Sequence, residues 1–199
     1  MIVMDEAIQS ENEHLLRATP EMTPDELVAL CRKLGEGFAK RAAKYDREGS
    51  FPVENFAELK EAGLLGIMIP KAHGGLGADF LTYTRCLEQI AKGDSSTGLT
   101  FNMHNIAVGS IAEVQIDLIP GRHGDTMRRF RDWVYREAIE NKKIFASASS
   151  EPGIGAHFSK LKTMYKRIDG GYVINGVKNW VSMAGYAAYY VVAARSADS

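Results

Sequence analysis

The hydrophobic period of this chain changes once, at Ile144, and that change limits the folds open to it. Before it, apolar residues return every three or four positions, as on one face of an α-helix. After it, short β-prone runs are broken by glycine and asparagine. The pattern predicts an α+β fold: an all-helical N-terminal domain over residues 24–142, behind a short extension at 1–23, and then an antiparallel β domain over 143–199.

Leu27, Leu30, Cys31, Leu34, Phe38, Ala42 and Tyr45 mark the first helix, with Thr23 as its N-cap and Gly49-Ser50 as its stop. A second helix follows Pro52 and ends at Ala62-Gly63, where glycine suits a left-handed cap. The apolar run 64–69 closes at Pro70, the Gly74-Gly75-Leu76-Gly77 turn follows, and Asp79 or Thr82 opens a third helix through Leu87 and Ile90. Residues 94–112 are mostly apolar or small and suit a helix buried on several sides. Beyond Pro120-Gly121, Met127, Phe130, Val134 and Ala138 share one face of a further helix. Its arginines alternate with Asp125, Asp132, Glu137 and Glu140, which reads as a solvated, salt-bridged face and not a basic patch.

Strands are expected at 144–150, 163–168, 172–178 and 189–195. Asp169-Gly170-Gly171 and Asn175-Gly176 supply the turns, since glycine enters positive φ at little cost. So few strands with open edges do not close a barrel, so the β domain is expected to be truncated and self-association to follow.

The net charge of −1, with 45% hydrophobic and 25% charged residues, points to neither nucleic acid nor an anionic membrane. No window approaches the roughly 18 apolar residues of a membrane span, and the acidic start lacks a signal or transit pattern. A cytoplasmic enzyme is the expectation. Cys31 and Cys86 lack His or Cys neighbours at ligand spacing and read as reduced, buried thiols; no metal site is predicted.

Two stretches carry chemistry. Ser147-Ala148-Ser149-Ser150 ends a predicted strand in small side chains, so a flat ring could lie on its backbone and meet N–H and hydroxyl groups. Gly153 and Gly155 then bracket a turn that permits close approach to a ligand, although a plain surface β-turn has the same composition. Trp180 could cover such a ring or fill a core. On the helix 94–112, Thr97, Thr100, Phe101 and His104 share one side, which suits either a pocket lining or core packing.

The blocks 51–70, Gly74-Gly75-Leu76-Gly77-Ala78 and Glu88-Gln89-Ile90-Ala91, followed by Ser150-Glu151-Pro152-Gly153-Ile154-Gly155, 174–182 and 190–195, together resemble the acyl-CoA dehydrogenase family. The resemblance covers most of residues 24–197. It implies FAD as cofactor, with Ser147, Ser149, Ser150, Gly155 and Trp180 beside the flavin and the Ser182 hydroxyl directed toward its N5. It implies an acyl pocket lined by Thr97, Thr100, Phe101 and His104, oxidation of an acyl-CoA to the 2,3-enoyl form, an electron-transfer flavoprotein as acceptor, and a homo-oligomer, tetramer or dimer. Family chains are about twice this length, and the carboxylate that removes the α-proton lies in a C-terminal helical domain. No catalytic residue is therefore assigned here, Glu151 being read as a loop-fixing group, and flavin retention is expected to be weak. Where many members carry Ser-Asp after the second glycine, this chain has Ala156-His157. That departure, with Ser147 where many members carry a larger residue, keeps open a flavin-dependent monooxygenase of the same fold, and the shortness of the chain keeps open a non-catalytic truncated or assembly chain.

Overall fold

The computed structural model describes residues 17–154 and 157–197. The chain divides into two compact units, Met1–Lys143 and Ile144–Ser199.

Among the described residues the first unit is helical: α1 Pro24–Glu48, α2 Val53–Glu61, α3 Phe80–Gly93, α4 Ser95–Ala112 and α5 Gly121–Ile139. The ends of α1 follow from local chemistry. The Thr23 side chain accepts from the Glu26 amide while Glu26 reaches back to the Thr23 amide, and Gly49 closes the helix at φ 58°. Asp79 caps α3 by accepting from the Thr82 amide at 2.7 Å. The run 64–69 is not extended; it forms a 3-10 turn, Leu64–Gly66, entered through Gly63 at φ 75°, and buries Leu64, Leu65, Ile67 and Ile69. Helices α1 and α3 pack so closely that a Cβ on Gly93 would strike the Gly35 backbone.

Phe38, Phe56, Leu59, Ile90, Phe101 and Ile116 fill the core, and both cysteines are buried. One polar cluster sits among them. Asn55 accepts from Arg41 and donates to Asp94 and Thr97, and the Asp94 carboxylate caps α4 through the Ser96 amide. In α5 the buried face runs through Val134, Tyr135, Glu137 and Ala138, and Phe130 is turned out to stack on Trp133. Of the face expected from spacing, Val134 and Ala138 are buried, Met127 is half-buried and Phe130 is exposed. The arginines of α5 pair as expected, Arg128 with Asp125 and Asp117, and Arg131 with Asp132.

The second unit holds β1 Phe145–Ala148, β2 Met164–Ile168, β3 Gly171–Asn175, β4 Tyr189–Val192 and β5 Arg195–Ser196. β2 and β3 form an antiparallel hairpin across Asp169-Gly170, with Gly170 at φ 77°. The remaining described pairs are parallel, β1 with β4 in the register Phe145↔Tyr189 and β2 with β5. A 40-residue stretch separates β1 from β4, long enough to bring the chain back to the same end, which parallel pairing requires. β1 is buried almost throughout, whereas every residue of β2 and β3 is exposed.

Among the described residues no helix is long and apolar enough to cross a membrane, and no group of His, Cys, Asp and Glu side chains gathers as for a metal ion.

Candidate functional site

The C-terminal end of β1 and the loop between β3 and β4 come together in the second unit. The Asn179 amide donates to the Ser150 carbonyl at 3.0 Å, and Lys178 Nζ donates to the Ser149 carbonyl at 3.2 Å. These bonds place the segment carrying Trp180 and Ser182 beside the strand end that carries Ser147, Ser149 and Ser150. Ser147 and Ser149 Oγ lie 3.4 Å apart, as expected for alternate residues on one face of a strand. Ser147 and Ser149 are half-buried and Ser150 is exposed, so the surface there is small, polar and open.

Trp180 is the least ordinary residue of this region. Its side chain is 86% exposed, and its backbone is left-handed at φ 56°. A bulky residue in that conformation is disfavoured by about 1–2 kcal/mol. Met183, three residues on, is also left-handed at φ 66° but buried. The Ser182 amide turns back to the Trp180 carbonyl at 3.1 Å. The chain therefore holds a large apolar ring system in water, on a strained backbone, next to a strand end stripped of bulk.

Beneath it lies a buried ion pair. Glu151 Oε1 accepts from Lys178 Nζ at 2.8 Å and from the Thr163 amide at 2.9 Å, and Oε2 accepts from the Lys162 amide at 2.7 Å. The two side chains are 2% and 10% exposed. Burial works to raise the Glu151 pKa, but the Lys178 ammonium and the two backbone amides outweigh it and hold the carboxyl at about 2. A carboxylate so fully occupied, and so weakly basic, is unsuited to removing a proton near neutral pH. Close by, Asn179 Oδ1 is buried without a hydrogen-bond partner. A buried acceptor left unmade is costly, and one beside an open polar strand end suits a site that receives a donor from a ligand.

The structure thus brings Ser147, Ser149, Ser150, Trp180 and Ser182 into one region. Gly155 lies outside the described residues. The four residues on α4 belong to the first unit and are arranged otherwise. The Thr97 hydroxyl accepts from Asn55 and donates to Asp94 at 2.6 Å, so both its hydrogen-bonding roles are taken inside the core. Phe101 is fully buried against Tyr83. His104 is fully buried with Nε2 3.0 Å from the Leu65 carbonyl, and burial lowers its pKa to about 4, so the ring is neutral and donates there. Thr100, half-buried, donates to the Ser96 and Thr97 carbonyls. Of the four, Thr100 alone presents surface without the core opening. Lys178 and Asn179 were given no role by the sequence; the only signal was their position just ahead of Trp180.

Comparison with known proteins bears on this arrangement. Residues 23–114 match the model for the acyl-CoA dehydrogenase N-terminal domain, and residues 146–199 match that for the acyl-CoA dehydrogenase middle domain. Benzylmalonyl-CoA dehydrogenase of Aromatoleum aromaticum is 31% identical over 82% of this chain and 41% of its own length. The mitochondrial isovaleryl-CoA dehydrogenase of Solanum tuberosum is 30% identical over 81% of this chain and 37% of its own. The chain thus spans about two fifths of the length of the curated relatives it matches. Among solved structures, KijD3 in complex with FMN and a dTDP-sugar superposes with a TM-score of 0.74 at 25% identity, over 91% of this chain and 42% of that one. FMN-bound TdsC of Paenibacillus sp. A11-2, a dibenzothiophene monooxygenase, superposes at 0.68 and 25% identity, over 87% and 40%.

Proposed function

This chain belongs to the acyl-CoA dehydrogenase family, and from that premise we propose that its second unit binds a flavin, FAD in the first instance, in the service of oxidising an acyl-CoA to its 2,3-enoyl form. The observation that carries the flavin reading is Trp180, exposed at positive φ beside the small-residue end of β1. The residues present fit a planar, hydrogen-bonding ring. Ser147, Ser149 and Ser150 offer hydroxyls and a flat backbone, Trp180 offers a face of the size of a fused ring, and Asn179 Oδ1 offers an unmade acceptor. Ser182 would direct its hydroxyl to the reacting edge.

A bound flavin supplies the acceptor for the hydride that leaves the acyl β-carbon. This chain's own residues bind and orient it; none is assigned the removal of the α-proton, and the engaged Glu151 is set aside for that role. Gly155 would allow close approach of the backbone to the cofactor. On the substrate side, Thr100 is the residue of α4 whose hydroxyl an acyl group could reach. An electron-transfer flavoprotein would accept the electrons, and the exposed Leu99 and Ile106 on α4 suit a homo-oligomer.

A second reading is favoured by the two FMN-bound solved structures, one of them a dibenzothiophene monooxygenase: reduced flavin and oxygen chemistry on the same fold. Mixing the purified chain with FAD, and separately with FMN, tests the shared premise through the visible spectrum. A structured, shifted flavin band that saturates with protein is expected. A free-flavin spectrum with both cofactors would overturn the flavin reading. Preference for FMN, with oxygen uptake when the flavin is supplied reduced, would move the assignment to the second reading.

A further inference from the structure

We propose that Glu151 and Lys178 act together as positioning residues, a buried clamp that sets the pose of the 178–182 arm against the end of β1. The consequence for cofactor binding rests on the flavin reading above; the clamp itself does not.

Several observations converge on it. The arm lies in the long connection between β3 and β4, in which residues 176–182 take part in no sheet pairing, so its placement needs other ties. The bonds joining it to the strand end issue from two adjacent residues, Lys178 and Asn179. From its own turn Glu151 holds two other segments at once, the residues just ahead of β2 through the Lys162 and Thr163 amides, and the arm through Lys178. Gly176 packs on Thr163 so tightly that a Cβ would collide with it, which delivers Lys178 to the carboxylate. Two residues beyond the clamp stands the left-handed Trp180, a conformation that persists only where its surroundings over-determine it. With both partners nearly out of water, the attraction is little screened by salt, so it can hold such a conformer where a surface pair could not.

Removing Lys178 alone leaves a buried unpaired carboxylate and can unfold the unit. The informative variant is therefore the double substitution Glu151→Gln with Lys178→Met, which carries no stranded charge, compared with Lys178→Arg, which keeps the pair. In the full 199-residue chain, amide hydrogen exchange at Asn179 reads the arm directly, because its N–H is bonded to the Ser150 carbonyl. The double variant is expected to speed Asn179 exchange about tenfold or more, with the amides of the β2–β3 hairpin unchanged and Lys178→Arg close to the parent. Titration of the same proteins with FAD and with FMN, followed by Trp180 emission in a Trp133→Phe background, should show weaker binding in the double variant and recovery in Lys178→Arg. Unchanged Asn179 exchange would overturn the proposal. So would equal loss of protection in the hairpin, which would make the pair a general tie of the unit. If the parent binds neither flavin while the exchange pattern holds, the clamp stands and the flavin reading falls.

Discussion

The helical unit and the β unit are held by different physics. In the first, Phe38, Phe56, Leu59, Ile67, Ile90 and Phe101 are each at most 2% exposed, and a polar cluster among them is hydrogen-bonded from Arg41 through Asn55 to Thr97. In the second, Tyr172, Ile174, Val177 and Trp180 stand in water, and a buried carboxylate joins three backbone segments. Apolar burial orders the first unit; in the second it is confined to a smaller set around β1, such as Phe145, Ala146 and Met183, and specific polar ties join the rest to it. The site reading follows that division, because an open surface with an exposed aromatic on a strained backbone suits ligand capture, whereas a close-packed interior leaves no room for one.

The largest test of the contrast is Phe38→Ala, which empties a fully buried ring position in the helical unit. It should cost about 3–5 kcal/mol in denaturant melts followed at helical wavelengths. A loss under about 1 kcal/mol would mean that the unit is not ordered by its core.

Acid separates the units next. His104 is held at about 4, below its ordinary value of 6.5, so its contribution is whole above pH 6.5 and is lost as pH falls from 6.5 to 4, by roughly 3 kcal/mol. Glu151, held at about 2 against an ordinary 4.5, keeps its contribution above pH 4.5 and loses it as pH falls toward 2. Helical ellipticity and hairpin amide exchange followed across pH 7 to about 2 should therefore fail in that order, helical unit first. His104→Gln should flatten the upper window and leave the lower one in place.

Smaller again is Thr23→Ala, which removes one half of the capping box of α1 and should lower stability by about 1 kcal/mol. The smallest stability change belongs to Trp180→Ala, within about 0.5 kcal/mol, because so little of that side chain is packed. A larger loss would show Trp180 to be part of the unit's core and would remove the main support for the site.

What the sequence made legible was what local chemistry decides. The Thr23 and Asp79 caps, the Gly49 and Gly63 stops and the Asp169-Gly170 turn are each written in two to four adjacent residues, and each lies where it was expected. The change of period at Ile144 likewise coincides with the division between the units. What escaped depends on partners distant in the chain. Spacing put Thr97, Phe101 and His104 on one side of α4, but which way that side faced was decided by Asn55 and Leu65, each about 40 residues away. The parallel pairing of β1 with β4 has no local signal, and neither has the outward turn of Phe130 on α5 while Val134 and Ala138 of the same face are buried. Serines, Trp180 and Ser182 could be named as candidates from their own surroundings. The tie that holds them together joins residues 27 apart and could not be read from either.

The most direct test of the central claim uses Trp180 as its own reporter. Trp133 and Trp180 are the chain's two tryptophans, so a Trp133→Phe variant leaves a single emitter at the candidate site. Titrated with FAD or FMN, that variant should lose most of its emission along a saturable curve, since a flavin stacked on the indole quenches it, and Ser150→Leu, which crowds the strand end without adding an emitter, should abolish the effect. Emission that falls only linearly with added flavin, as for free tryptophan in solution, would contradict the account.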